Sequence, residues 1–582
     1  MQNNFILQLQ RKKLQQPKFI PMSKNEMNKL GWNTIDVLLI TGDAFVDHPS
    51  FGIAVIARVL IAAGYKVGII AQPNWHDSSS LNEFGQPNLA CAISSGNMES
   101  MLNIYTAARR LRKKDSFSPG GAVKQRPTNS LTVYANLARS AFSNVPIIIG
   151  GLEASMRRIT HYDYWKDKLM PSILVNTKAD LLIYGMAEKA LINAIDSISK
   201  KQDFTGEKGT AVILGAKKSE EIKEKIIENY QILPSHENIL SQHGSLLESH
   251  VLAEKEMNPY SSKGTAQKYS NRFIIIEPPP IPLTTAEIDA VYDLPYSGLP
   301  HPKYNKTIPA YEMIKDSVTA VRGCPGGCSF CGLGLHQGKL TSFRSKESII
   351  REIIKLSGKK DFHGTISDIG GPTANSYANS YIDIEKCHNC KRPSCLYPKI
   401  CNNYFIDEKE FLKLLELVSN IPKIKHVFIS SGLRLDLALQ QKKLMKTIIK
   451  NHVSGHMKVA PEHLDDDVLK LMRKCSSENF YNFLKFFKSE TNTTGKKQYI
   501  IPYFISNFPG SSNKSMDKVN SFLNETQWSL QQVQDFIPLP MTIASAMYYD
   551  NMDCSSRTIK VNKGLKERRY QLNLLKKDRN RH

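Results

Sequence analysis

From residue 35 to about residue 200 the chain alternates short unbroken apolar runs with segments of helical periodicity. IDVLLI (35–40), KVGIIA (66–71), VPIIIGG (145–151) and ADLLIY (179–184) show no polar alternation, so each predicts a strand buried on both faces. GIAVIARVLIAAG (52–64) predicts a helix closed by Gly64, and a further helix is expected around Glu188. Buried strands separated by helices imply an α/β domain with a doubly wound parallel sheet over 31–200, preceded by an N-terminal arm, 1–30.

Residues 201–310 are less regular. A Lys/Glu-rich helix is expected near 218–229, and the proline run 278–280 reads as a stiff connector. The boundary between domains is expected between Tyr296 and Tyr311. From Asp316 the alternation returns in SVTAVRG, GTISDIG, HVFISSG, SGHMKVA and QYIIPYFIS, with SIIREIIKLSG as an intervening helix. Six or so strands with helices between them predict a full or partial β/α barrel over 311–555. A Cys-rich insertion, 376–405, interrupts it, and a basic tail, 556–582, follows. The first domain has the pattern of flavodoxin or cobalamin-binding domains, whose ligands sit at strand ends.

Composition changes this picture little. The chain has 582 residues, is 41% hydrophobic and 23% charged, and so is neither disordered nor fibrous. No apolar run reaches the roughly 18 residues that span a bilayer. The N-terminus lacks a small-residue cleavage site, so the expectation is a soluble cytoplasmic protein without a membrane partner. Seventy-seven Lys and Arg against 54 Asp and Glu give a net charge of +23, which raises RNA as a possible partner. The charge concentrates in 109–126 and in the tail from Lys560, both expected to be solvated.

Cysteine usage is more informative. Of ten cysteines, Cys91, Cys475 and Cys554 stand alone and read as buried small hydrophobes. The others form two clusters, which in a reducing compartment point to metal or redox chemistry. RGCPGGCSFC (322–331) places Cys324, Cys328 and Cys331 in a C-x3-C-x2-C pattern. Three thiolates on one glycine-rich loop can hold three irons of a cubane and leave the fourth open to a small molecule. A zinc knuckle completed by His336 is the alternative. Gly323, Gly326 and Gly327 let the backbone curl tightly, and the loop follows the first barrel strand at the face where such folds build active sites.

This loop resembles the radical S-adenosylmethionine (SAM) signature. Together with FIPMS (19–23), GDAFVDHPSFG (42–52), GGLEASMRRITHYDYW (150–165), AVRGCPGGCSFCGLGLHQGK (320–339), SDIGGPTAN (367–375), KVAPEH (458–463) and VQDFIPLP (533–540), it resembles the YgiQ-type radical SAM family. The resemblance implies that Cys324, Cys328 and Cys331 ligate a 4Fe-4S cluster whose fourth iron is chelated by SAM. It implies that Phe330 lies near the adenine, and that Gly370-Gly371 forms the turn that receives the SAM amino group. The superfamily commonly has Gly-Gly-Glu there, whereas this chain has Pro372. Ser430, Ser431 and Arg434 end a later strand at a plausible ribose or carboxylate site. Reductive cleavage of SAM to a 5′-deoxyadenosyl radical is the implied activity, on an unspecified substrate, with a low-potential donor such as flavodoxin or ferredoxin. An RNA-associated protein with a structural or redox-sensing iron–sulfur or zinc site is the alternative.

CHNCKRPSCLYPKIC (387–401) forms the second cluster, with Cys387, Cys390, Cys395 and Cys401 in a C-x2-C-x4-C-x5-C pattern. Four thiolates in so short a loop can close a zinc site or ligate a second iron–sulfur cluster, and spacing does not choose between them. Lys391, Arg392 and Lys399 would offset the negative charge, and His388 is a bystander. In the first domain, Asp43, Asp47 and His48 are candidate ligand contacts. Cobalamin-binding relatives carry Asp-x-His-x-x-Gly, and the adjacent Asp47-His48 departs from that. Glu153, Arg157, Arg158, His161, Tyr162, Asp163 and Trp165 form either an ion-pair network at a helix start or a substrate pocket, which Lys458, Glu462 and His463 would complete.

Overall fold

The computed structural model describes residues 3–11, 14–530 and 533–577. Parts of the N-terminal arm and the last five residues of the basic tail lie outside the described residues. The chain divides into two compact units at Lys315/Asp316. The division falls past Tyr311 because Tyr296, Ile308, Ala310 and Tyr311 are buried in the first unit's own core.

In the first unit the strands Val37–Thr41, Val67–Ala71, Ala90–Ser94, Ile147–Gly150 and Leu181–Ile183 pair in parallel. Numbered along the chain, these five run in the spatial order 2-1-3-4-5, which is the flavodoxin-like arrangement. Alternate side chains feed opposite faces. Val37, Leu39, Val67 and Ile69 share a core with the helices Gly52–Ala62 and Glu188–Ser199. The helix Ser130–Ala141 packs on Ala90–Ser94 and Ile147–Gly150, burying Leu131, Tyr134, Ala135 and Ala138. Gly52–Ala62 is apolar nearly all round, as a helix enclosed on most sides must be.

The irregular stretch after residue 200 extends this sheet. Thr210–Ile213, Arg272–Ile276, Thr265–Tyr269 and Gln231–Leu233 add on in that order beyond Leu181–Ile183, mostly antiparallel, for nine strands among the described residues. The proline run is part of the unit, with the Pro278 carbonyl accepting the Gly209 N–H at 2.7 Å.

The second unit is a partial barrel of six parallel strands among the described residues. Ser317–Thr319 pairs with Asp368–Gly370, Thr365–Ile366 with His426–Val427, Leu433 bridges to Val459, and His456–Glu462, Tyr499–Ser506 and Gln534–Asp535 follow. The intervening helices each bury one stripe at helical spacing, for example Phe411, Leu414, Leu415 and Val418 of Lys409–Ser419.

Neither basic segment is wholly solvated. In 109–126, Arg126 is 2% exposed and bonded to Asp43 and Asp115. In the tail, the helix Leu565–Lys576 buries Arg568, Gln571 and Leu575, and Arg568 pairs with Asp535 at 2.9 Å. Of the isolated cysteines, Cys91 is buried and Cys475 half-buried, but Cys554 is exposed, because it sits in a turn outside any apolar run. Among the described residues no helix is long and apolar enough to cross a membrane.

Removing one partner from a buried ion pair strands the other charge, whereas exposed pairs contribute little. Arg126→Ala is therefore expected to destabilise the first unit by about 3–5 kcal/mol. Arg139→Ala, which breaks an exposed pair with Asp180, is expected to cost only about 0–1 kcal/mol. Urea unfolding of the two variants beside wild type measures the difference.

Candidate metal and cofactor site

The strand Val321–Arg322 pairs antiparallel with Ser342–Phe343 and pinches 323–341 into a closed loop over the C-terminal rim of the barrel. Gly323 has φ +83, and a Cβ there would lie 2.5 Å from the Leu340 carbonyl oxygen. A Cβ on Gly326 would lie 2.5 Å from Arg434 Nη1, and one on Gly327 would collide with the Pro393 carbonyl. The Cys324 N–H donates to Gly338 O at 3.0 Å, and the Gly323 N–H to Gln337 Oε1 at 3.0 Å. Ser329 is held from three directions: its hydroxyl donates to Leu471 O at 2.7 Å, its N–H to Met472 O at 3.2 Å, and its carbonyl accepts the Ala544 N–H at 2.9 Å.

That bracing gathers the three thiols. Burial pushes the Cys331 thiol up to about 12, with Cys328 and Cys324 adding to the effect. Arg434 Nη1 donates to Cys328 Sγ at 3.4 Å, while Nε and Nη2 bind Asp436 at 3.0 and 2.6 Å. Thr373 Oγ1 lies 3.4 Å from Cys324 Sγ. Three thiols on a rigid loop, with donors aimed at two sulfurs, suit a group that carries negative charge on its thiolates.

The other expected residues collect on the same rim. Gly370 and Gly371 end their strand where a Cβ would press on Ser431 Oγ or collide with Val321 O. The Gly370 carbonyl accepts the Ala320 N–H at 2.7 Å and so is already engaged. Ser431 turns its hydroxyl to Asp368, which also accepts the Ser430 and Ser431 N–H groups at 2.8 and 3.1 Å. Phe330 meets Phe508 edge-on, with centroids 6.1 Å apart. Asp368 was not singled out from the sequence, although a carboxylate inside an apolar strand run is a detectable signal. Burial pushes its carboxyl up, and the serine donors hold it down.

Glu462 also belongs to this rim. It is buried, has φ +67 at a strand irregularity, and its carboxylate lies 3.7 Å from Lys474 Nζ. Burial pushes its carboxyl up, against Lys474 and Arg434. A glutamate in left-handed backbone is uncommon and costs energy, a feature that clusters at functional sites.

Cys387, Cys390, Cys395 and Cys401 line one cavity together with Lys339. Their loop abuts the first: Ser394 Oγ donates to Gly326 O at 2.7 Å, and the Cys395 N–H to Pro325 O at 2.9 Å. His388 turns away to Glu385. Among the described residues, no three His, Cys, Asp or Glu side chains close on a single-ion position.

In the first unit the candidate contacts face protein. The ligand crevice of a 2-1-3-4-5 sheet opens where strand order reverses, here between Val37–Thr41 and Ala90–Ser94. Asp43 occupies that place, bonded to Arg126 Nη1 at 2.6 Å and to the Asn97 N–H at 2.7 Å. Asp47 is fully buried against Arg58, which also donates to Pro17 O at 2.7 Å and ties down the arm. These residues do not fit a corrinoid or flavin site. Arg157 is likewise enclosed, bonded to Glu99 at 2.6 Å, Asp163 at 2.9 Å and His161 Nε2 at 3.1 Å. Burial lowers His161 to about 3, so its ring stays neutral. Glu153 accepts the Ser100 N–H at 2.8 Å, and Arg158 stacks over Tyr184. These contacts are those of the ion-pair network.

Two family descriptions match the chain: Radical SAM N-terminal over residues 19–317, and Radical SAM superfamily over residues 318–519. A UPF0313 protein of Vibrio vulnificus (strain YJ016) is 40% identical over 616 residues, covering 96% of this chain and 80% of that protein. A UPF0313 protein of Methanocella arvoryzae is 41% identical over 558 residues, covering 95% and 92%. Among solved structures, the radical SAM methyltransferase TsrM from Kitasatospora setae, with cobalamin and a 4Fe-4S cluster bound, is similar at a TM-score of 0.47 and 11% identity. That likeness spans 88% of this chain and 77% of that one, and is too distant to assign any residue here.

Arg434 places a positive charge against the thiolates. Arg434→Gln is expected to move the midpoint potential of the reconstituted cluster to lower values, by on the order of 100 mV for a unit charge about 6 Å away at an effective dielectric constant of about 20. Spectroelectrochemistry of the variant beside wild type reads the shift.

Proposed function

The chain belongs to the UPF0313 family and is a radical SAM enzyme with a 4Fe-4S cluster and SAM as cofactors, and on that premise we propose that Cys324, Cys328 and Cys331 hold the cluster for reductive cleavage of SAM. The observation that carries this reading is the braced three-thiol loop on the barrel rim, with Arg434 bonded to Cys328 Sγ. When bound, the cluster supplies the electron that breaks a carbon–sulfur bond of SAM, giving methionine and a 5′-deoxyadenosyl radical that abstracts hydrogen from a substrate.

The residues of the chain bind, orient and shield. Cys324, Cys328 and Cys331 would hold three irons of the cluster and leave the fourth for the SAM amino and carboxylate groups. Gly370 and Gly371 let Ser431 and Val321 close against the strand end, which fixes the rim where the cofactor would lie. Asp368 fixes Ser430 and Ser431, and so shapes the turn that leads to Arg434. Phe330, set against Phe508, offers an aromatic edge to the adenine. Pro372 removes the carboxylate that usually follows the two glycines. Glu462, buried on the same rim near Cys331 and Arg434, would take over as acceptor for an N–H of the iron-bound SAM amine. A low-potential flavodoxin or ferredoxin delivers the electron.

The test is anaerobic reconstitution followed by quantification of 5′-deoxyadenosine and methionine with SAM and dithionite. Wild type is expected to form both, and Cys328→Ala to fall to the background without enzyme. Glu462→Gln is expected to keep the cluster but to need a higher SAM concentration for half-maximal cleavage. A wild-type protein with a full cluster that forms no 5′-deoxyadenosine, even with cell extract supplying substrate, would overturn the reading.

A further inference from the structure

We infer that Cys387, Cys390, Cys395 and Cys401 hold a second iron–sulfur cluster, closed by four protein thiolates and lying against the loop of the first. The insertion has little apolar core of its own. Its apolar cluster is small, built on Cys395, Leu396, Tyr404 and Leu437, and two of the four cysteines belong to that cluster or pack on it. So short a segment gains a core by binding metal.

The geometry selects the kind of metal. A tetrahedral zinc ion with Zn–S bonds of about 2.3 Å brings its sulfurs to about 3.8 Å from one another, in mutual contact and with no space between them. Here the four cysteines instead line one cavity, partly open to solvent, and no three of them close on a single-ion position. Its walls include Tyr381 and Tyr404, whose ring centroids lie 5.8 Å apart. Four sulfurs that face one cavity without converging on a single ion suit a multi-iron core, whose ligand sulfurs stand farther apart.

Charge and hydrogen bonding point the same way. Lys339 Nζ lies 3.8 Å from Cys390 Sγ, and Asn403 Nδ2 donates to Cys387 Sγ at 3.1 Å. Both aim a donor at a sulfur that would carry negative charge when it ligates iron. Arg392 clamps the loop by donating to Tyr397 O and Lys399 O, each at 3.0 Å. Lys339 comes from the loop that carries the first three cysteines, and it also donates to Arg392 O at 2.6 Å. One side chain thus ties the two loops together, beside the backbone contacts at Pro325 and Gly326. Four thiolates leave no iron open, so this centre carries an electron or braces the loop and does not bind SAM.

The test is independent of SAM cleavage. Anaerobically reconstituted wild type is expected to hold about eight irons per chain, and Cys324→Ala/Cys328→Ala/Cys331→Ala about four. The dithionite-reduced triple variant should give a paramagnetic resonance signal that added SAM leaves unchanged. Cys390→Ala/Cys401→Ala should also hold about four irons, with a signal that SAM perturbs. A triple variant without iron, or one zinc per chain that disappears with Cys390→Ala/Cys401→Ala, would overturn the inference. So would a triple-variant signal that shifts on adding SAM.

Discussion

At Gly323, Gly326 and Gly327 an added β-carbon would run into the Leu340 carbonyl, the Arg434 guanidinium and the Pro393 carbonyl respectively, so the loop bearing Cys324, Cys328 and Cys331 is gripped from three directions. The three gripping groups come from parts of the chain far apart in sequence: the return of the pinched loop, the rim after the third barrel strand, and the Cys-rich insertion. Each must be in place for the loop to hold its curvature. A metal centre needs its ligands fixed before it binds, because ordering them at the moment of binding would be deducted from affinity. The glycines convert that requirement into a packing constraint, which is stiffer than any single hydrogen bond.

The sequence carried the local part of this arrangement plainly. C-x3-C-x2-C with its glycines, and the second four-cysteine run, are spacing signals that survive without a fold. The alternation of buried strands and helices was equally readable, because strands buried on both faces have no polar positions to confuse them. What could not be read was who faces whom. Asp368 meets Ser430 and Ser431 more than 60 residues later, and Lys339 reaches Arg392 across the loop boundary. Periodicity describes one element at a time, so pairings of this kind belong to tertiary structure. The sequence suggests an irregular α/β extension over 201–310, but the order in which its strands join the sheet is again a matter of tertiary pairing. Several of its strands mix polar with apolar residues, as in Gln231–Leu233 and Thr265–Tyr269, so no unbroken apolar run marks them.

The first unit shows the limit from the other side. Position at a strand end correctly marked Asp43 as sitting where sheets of this order bind ligands, yet Arg126 fills the place. Burial also pushes the Asp43 carboxyl up, with Arg126 holding it back. A motif on the right rim of a doubly wound sheet is therefore a statement about location, and the occupant depends on a cation from a stretch that composition alone assigns to solvent.

Comparing the buried cations of the two units explains why only one rim reads as a ligand site. In the first unit, Arg126 faces Asp43 and Asp115, and Arg157 faces Glu99 and Asp163. Arg126 and Arg157 thus each meet two carboxylates, so a further anion beside them would meet repulsion. In the second unit, Arg434 meets a single carboxylate, Asp436, through two of its nitrogens, and directs the third at a cysteine sulfur. A thiol is a poor acceptor for so strong a donor, whereas a thiolate held by iron is a good one. The arrangement is fully satisfied only when negative charge resides on that sulfur. Desolvating a guanidinium in the absence of such charge costs energy that loading the proposed cluster would offset, so Arg434 would favour the metal-bound state.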